Sequence, residues 1–256
     1  AIDLALWDLA GKAAGKPVYE LLGGPVKPDI PVYASALHPV GAEKVQAEAK
    51  AYVEEGYQAM KMRFPYGPGH GIAGMRANEE HVANVRDAVG DDIEIMADAY
   101  MGWDFLYAKK MVKRLEPYRL AWLEEAFLPD DLNSYAKLRQ ETSIPISGGE
   151  HEYTRFGFQQ IIEKQAMDII QPDLRRCGGL SEGRRICSLA LANGITVIPH
   201  AYGPTHIHFA LAETAVPMIE YFPIPCWDDL PDAEVEPIFH DEPQPQNGRV
   251  TASTKP

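Results

Sequence analysis

Residues 93–100 read IEIMADAY, an apolar run that ends in an acid, Asp98. Burying an unpaired carboxylate costs several kcal/mol, so a strand ends this way only where something compensates the charge. The same ending recurs along the chain. LAWLEEAF carries Glu124 and Glu125, IPISGGE ends in Glu150, MDIIQPD in Asp173 and ITVIPH in His200, and PMIEYF holds Glu220. Asp98 to Glu124 is 26 residues, Glu124 to Glu150 is again 26, and Asp173, His200 and Glu220 follow after 23, 27 and 20. Each step is the length of one strand, one helix and their loops. One polar ending alone says little, but six in series at that spacing form a pattern.

Outward from this stretch, eight β-like runs can be counted, at residues 30–37, 58–64, 93–100, 120–127, 144–150, 167–173, 195–201 and 218–222. Seven stretches with helical spacing of apolar residues lie between them. GAEKVQAEAKAYVEEG places Val45, Ala49, Tyr52 and Val53 on one face with Gly56 as its stop, and LSEGRRICSLALANG ends in the same way at Gly194. Strand–helix alternation implies parallel strands with helical crossovers. Eight of them before residue 222 fit an α/β fold of modified TIM-barrel type, (β/α)7β, better than an open sheet. The six polar groups then stand at the C-terminal ends of successive strands, the face on which barrel enzymes carry their chemistry.

Composition narrows the function from the other side. The 256 residues are 46% hydrophobic and 24% charged, with a net charge of −13 and a pI near 5.0. Such a surface excludes nucleic acid and anionic membrane as expected partners. Cys177, Cys187 and Cys226 show neither metal-ligand spacing nor an even count for disulfides, so a reducing, cytoplasmic setting is expected. No apolar run approaches the ~18 residues of a membrane span, and no signal peptide is evident. The chain opens at Ala1 inside a helical pattern and stops at TASTKP without a closing element, as a fragment would. The Pro-rich, acidic stretch after Pro223 reads as an extended arm.

Three acids on adjacent strands, Asp98, Glu124 and Glu150, cannot all ionise close together without a cation, and an all-oxygen set favours Mg²⁺. Each acid taken singly could instead cap a helix or pair with an arginine. Asp173 beside His200 would hold the imidazole in one tautomer and raise its basicity, as a general base requires. Glu220 could exchange a proton across the site or serve as a rim carboxylate. On the second strand, KMRF sets Lys61 and Arg63 two apart and therefore on one face. There they supply local positive charge, with Arg63 a poor base. His206 and His208 have metal-like spacing but sit where a helix should start, and read as helix-face residues. His70, in the Gly/Pro-rich loop FPYGPGHG, could reach a substrate, whereas His38, His81 and His240 carry no signal.

The motifs MADAY, WLEEAF, GGEHE, IIQPDLRRCGG and VIPHAY, in that order and preceded by ALWDLAGKAAGKPVYELLGG, resemble the enolase superfamily, mandelate racemase/muconate lactonizing enzyme subgroup, over essentially the whole chain. Within it, DAYMGWDFLYA, EEAFLPDDLNSYAKLR, GEHEYTRFGFQQIIE and DEPQPQNGR are most similar to the rhamnonate-type acid-sugar dehydratases. The resemblance implies Asp98, Glu124 and Glu150 as Mg²⁺ ligands and Asp173–His200 as the dyad. Glu220 becomes the eighth-strand acid, and Arg63, His151 and Tyr100 become substrate contacts. It further implies residues 1–28 as a remnant of an N-terminal α+β capping domain that is largely missing, 29–222 as the barrel and 223–256 as the arm. One departure is chemical: where the family's racemases carry Lys-x-Lys on strand two, Arg63 replaces the second lysine. That favours chemistry needing one base, His200, with Lys61 positioning the substrate. The expectation is a homo-oligomeric lyase that dehydrates a small acid sugar. Its rivals are a racemase using Lys61 as the second base, or a truncated barrel without catalysis.

Overall fold

The structure, a computed structural model, describes residues 1–223 and 242–256; Cys226, His240 and most of the acidic arm lie outside the described residues. Two helices come first, α1 (Ile2–Ala14) and α2 (Val18–Leu21). Strand and helix then alternate through β1 (Ile30–Ser35), α3 (Ala42–Glu54), β2 (Ala59–Arg63), α4 (Gly71–Val89) and β3 (Glu94–Asp98). The series continues with α5 (Phe105–Leu115), β4 (Leu123–Glu124), α6 (Leu132–Glu141), β5 (Ile146–Gly148) and α7 (Thr154–Glu163). It closes with β6 (Ile169–Ile170), α8 (Leu180–Ala192), β7 (Thr196–Val197), α9 (Pro204–Ala212) and β8 (Ile219–Tyr221).

The eight strands are parallel in the order β7-β6-β5-β4-β3-β2-β1-β8. The sheet curls far enough for Lys61 of β2 to reach Glu124 of β4 on one side and Glu220 of β8 on the other. Across the seam between the last two strands, the Ala201 N–H donates to the Glu220 carboxylate at 2.8 Å. This is the (β/α)7β barrel expected from the alternation, with its helices on the outside.

The paired ladders are shorter than the apolar runs: β4, β6 and β7 hold two residues each, where runs of seven or eight were expected. The difference is physical. Apolar burial continues past the last ladder hydrogen bond, because a residue in a barrel wall is covered whether or not its backbone pairs. Several runs then leave the ladder abruptly, through Leu37 (φ 53°), Tyr100 (φ 43°), Glu125 (φ 39°), Gly149 (φ 107°) and Ala201 (φ 73°). A left-handed residue turns the chain outward within one position.

The inner face places the site. Tyr33, Ala59, Met96, Trp122 and Ile198 form a buried apolar cluster, with Ile169 and Met218 packed against it. Two residues further along the same strands stand Ser35, Lys61, Asp98, Glu124, His200, Gln171 and Glu220. Since side chains i and i+2 share a face, an apolar floor lies directly beneath a polar ring at the mouth. The larger apolar cluster fills the space between sheet and helices; Val45, Ala49 and Tyr52 bring α3 into it. The α1 helix is tied to α8 by Asp3, which accepts from the Ser181 N–H at 3.0 Å, and by the Trp7 indole, which donates to Ser181 Oγ at 3.0 Å. At the opposite end of the barrel, β9 (Arg249–Val250) pairs antiparallel with the first residues of β1.

Candidate active site

The mouth gathers its groups as the strand-end spacing requires. Asp98 and Glu124 end β3 and β4 as paired neighbours in register. Glu150, Asp173 and His200 follow two or three residues beyond their ladders, on the segments that turn outward.

Asp173 and His200 form a dyad: His200 Nδ1 lies 2.9 Å from Asp173 Oδ2. Asp173 is aimed by the Arg175 N–H, which donates to its other oxygen at 2.7 Å. Burial alone would raise the Asp173 carboxyl, but these hydrogen bonds outweigh it and hold it below its usual range. Burial alone would lower the His200 imidazole; the bond to Asp173 and the charges of Glu220 and Glu150 outweigh it and raise it. The ring's other nitrogen, Nε2, lies 3.2 Å from Glu150 Oε2.

Lys61 is 1% exposed and locked between Glu124 and Glu220, at 2.9 Å from the latter. Burial works against its charge, but those two acids outweigh it and hold the amine protonated, well above its usual range. In turn, Lys61 carries Glu220 down to about 2, against the upward push of burial. Trp122 Nε1–H and Gln171 Nε2–H donate to the remaining oxygen of Glu124 at 2.9 and 2.8 Å. Arg63 donates to Asp98 Oδ2 at 2.7 Å and to Ser35 Oγ at 3.2 Å, while the Tyr100 N–H donates to Asp98 Oδ1 at 2.7 Å.

Each of the three acids expected to share a cation is therefore held by a basic side chain: Asp98 by Arg63, Glu124 by Lys61 and Glu150 by Arg176 at 3.0 Å. Negative charge still exceeds what these partners neutralise. Burial, and then Glu124, lift the Asp98 carboxyl to about 7. Burial, and then Glu150 and Glu124, lift Glu125 to about 8. Among the described residues, the group whose ligand atoms all lie within 4.8 Å of one another is Glu125, Glu150 and His151. Glu150 is the member it shares with the expected triad. A mouth of converging buried carboxylates with raised affinity for positive charge fits a hard divalent cation.

His151 lies beside this cluster, with Nδ1 at 2.9 Å from Glu125 Oε2 and Nε2 at 3.6 Å from Glu150 Oε1. Tyr100 is mostly exposed and sets its ring edgewise to His151, centroids 6.3 Å apart. His70 is exposed and bonded to Gly67 within its own loop, whereas His206 and His208 lie on α9, the helix expected there. Sequence reasoning passed over Glu125, Gln171, Trp122 and Arg176. Glu125 had a signal, the doubled acid of WLEEAF. Trp122 and Gln171 each stand two residues before an expected site residue or one strand along, a clue visible once the i, i+2 rule is applied to the inner face.

Comparison with known proteins agrees with this geometry. Residues 44–256 match the family described as Enolase C-terminal domain-like, and residues 1–23 match the Mandelate racemase / muconate lactonizing enzyme, N-terminal domain family. The L-rhamnonate dehydratase of Saccharopolyspora erythraea is 38% identical over the whole of this chain, which spans 64% of that protein. The crystal structure of L-rhamnonate dehydratase from Gibberella zeae superposes with a TM-score of 0.85 at 37% identity, covering 98% of this chain and 62% of that one. A racemase from Streptomyces coelicolor A3(2) with bound magnesium superposes at 0.86 with 27% identity, covering all of this chain and 67% of that one. The chain thus spans less than two thirds of the length of the rhamnonate dehydratases it matches.

Proposed function

This chain belongs to the enolase superfamily, in its mandelate racemase/muconate lactonizing enzyme group, and from that premise we propose that it is the barrel of an Mg²⁺-dependent acid-sugar dehydratase acting on a rhamnonate-like substrate. The observation that carries the reading is the Asp173–His200 dyad at 2.9 Å, with Nε2 turned into a mouth lined by carboxylates. In this reading Asp98, Glu124 and Glu150 hold the cation, and residues 1–28 are the closing helices of a capping domain. Bound Mg²⁺ would supply stabilisation for the negative charge that develops on the substrate carboxylate as the α-proton departs.

The chain's own residues do the rest. His200 Nε2 accepts the C2 proton, and Asp173 stabilises the imidazolium that results. The C3–O bond then breaks, the leaving hydroxide takes that proton from His200 and departs as water, and the enol becomes a 2-keto-3-deoxy acid. One group serves both steps because an imidazole can take up a proton in the first and return it in the second. Arg63 and His151 would bind the carboxylate and hydroxyls, with Tyr100 at the rim. Lys61, held protonated between two acids, supports one-base chemistry; as a base it would first have to surrender that proton. Glu220, held ionised and accepting from Ala201, steadies the seventh-strand loop that carries His200.

The test is a panel of six-carbon and 6-deoxy acid sugars incubated with Mg²⁺, scored for 2-keto acid and for deuterium entering C2 from solvent. Dehydration is expected, with His200→Asn abolishing both signals and Lys61→Met sparing exchange. Exchange without loss of water would select a racemase. Loss of exchange in the Lys61 variant, retained in the His200 variant, would overturn the assignment of the base.

A further inference from the structure

Each member of the dyad follows a proline. IIQPD sets Pro172 before Asp173, and VIPH sets Pro199 before His200. Proline has no backbone N–H, so neither strand can carry its ladder through the position next to the dyad. The pairing of β6 with β7 accordingly stops at Ile170 and Val197. Among the described residues, the last backbone bond between the two segments runs from the Ile198 N–H to the Ile170 carbonyl, at 3.0 Å. Asp173 and His200 each stand three residues past the end of the ladder, on loops that the sheet no longer joins.

Each loop is anchored on its own side. The Asp173 carbonyl accepts from the N–H groups of Arg176 and Cys177 at 2.9 and 2.7 Å, and the Ala201 N–H donates to Glu220 of β8. Besides the dyad's own contact, the polar bond that crosses between the loops among the described residues is made by Arg175. Its backbone N–H donates to Asp173 Oδ1 at 2.7 Å, and its guanidinium Nη2 donates to the Tyr202 carbonyl. Tyr202 is a fixed point to hold. It is 7% exposed, its ring stands edgewise to Tyr221 with centroids 4.8 Å apart, and its hydroxyl donates to the Pro243 carbonyl. Arg175 comes two residues after Asp173 and Tyr202 two after His200, so this one side chain closes a ring of contacts around the dyad.

We infer that Arg175 is a positioning residue: it ties the loop after β6 to the loop after β7 and so sets the Asp173–His200 separation where the sheet cannot. Its catalytic meaning rests on the dehydratase reading, whereas the tie between the loops stands on the contacts alone. Arg175→Met removes the donors while keeping an unbranched side chain, and Arg175→Lys keeps a charged donor. Amide hydrogen exchange reads the tie without a substrate. In Arg175→Met the amides at position 175 and at Ala201 should exchange about tenfold faster, the worth of one hydrogen bond from a charged group. The amides of Phe64 and Ala99, which bond to the Asp98 and Glu124 carbonyls across the mouth, should not change. Arg175→Lys should stay close to the parent. With an acid sugar that is turned over, Arg175→Met should lose roughly tenfold to a hundredfold in kcat at unchanged KM, the effect of a small misplacement of the base. Parent-like exchange in Arg175→Met would overturn the inference. So would acceleration that spreads to Phe64 and Ala99, which marks general loosening, or an Arg175→Lys protein that behaves as Arg175→Met does. A loss confined to KM would place Arg175 against the substrate and overturn it too. Failure of every acid sugar to react would instead remove the dehydratase reading and leave the exchange rates to decide the tie.

Discussion

His206 shows how one side chain sets the molecule's response to acid. It is wholly buried on α9, and neither ring nitrogen has a hydrogen-bond partner among the described residues. Burial is the chief cause that lowers it from 6.5 to about 4. In that window the unfolded chain binds a proton that the folded chain refuses, so stability falls as pH drops from the unfolded value towards about 4. The loss amounts to roughly 3 kcal/mol, from about 1.4 kcal/mol per pH unit. His206→Leu should therefore match or exceed the parent in urea unfolding at neutral pH and lose less stability on acidification. Equal acid sensitivity of the two proteins would show that the buried imidazole is not the cause. At this scale the sequence was legible where residue type and strand position decide the matter: Asp173 and His200 were paired from spacing alone. It was silent where a contact depends on register across strands. Lys61 looked available as a base, yet the barrel encloses it between Glu124 and Glu220; Glu125 looked like a duplicate of its neighbour, yet one left-handed residue sends it to His151.

At the scale of the element, alternation and helix stops could be read directly, because a glycine that ends an apolar periodicity has a mechanical reason to be there. Gly56 and Gly194 do sit at φ 91° and 69° after α3 and α8. Strand length could not be read, since hydrophobic runs report burial and the ladder reports pairing. The same φ values separate two kinds of glycine. A Cβ on Gly194 would meet nothing within 4 Å among the described residues, so Gly194→Ala carries the conformational cost of a left-handed residue, about 1 kcal/mol. Gly149→Ala adds contact with the Phe158 ring at 3.0 Å to the same backbone cost. Chemical denaturation should rank the two variants in that order, with Gly149→Ala clearly the less stable. An equal loss would mean that the wall around Gly149 yields to the methyl group.

For the whole molecule the decisive quantity is charge. A chain of net −13 gains some stability from any salt through screening, so a rise in Tm with MgCl₂ alone says nothing about a site. Proton linkage separates the two effects. Carboxyls raised on folding, Asp98 to about 7 and Glu125 to about 8, keep protons that the unfolded chain releases. Stability from this source is present at low pH and is lost as pH rises through those values, because the folded mouth must then hold the negative charge it had avoided. A divalent cation held, as proposed, by Asp98, Glu124 and Glu150 would compensate that charge, and it would bind better as the protons leave. The increase in Tm produced by Mg²⁺ over NaCl at matched ionic strength should therefore grow from about pH 6 to about pH 8.5. Glu150→Gln should remove that increase while leaving the response to NaCl intact. Screening alone would give the same increase with both salts at every pH and in both proteins, and that outcome would remove the cation from the proposed site.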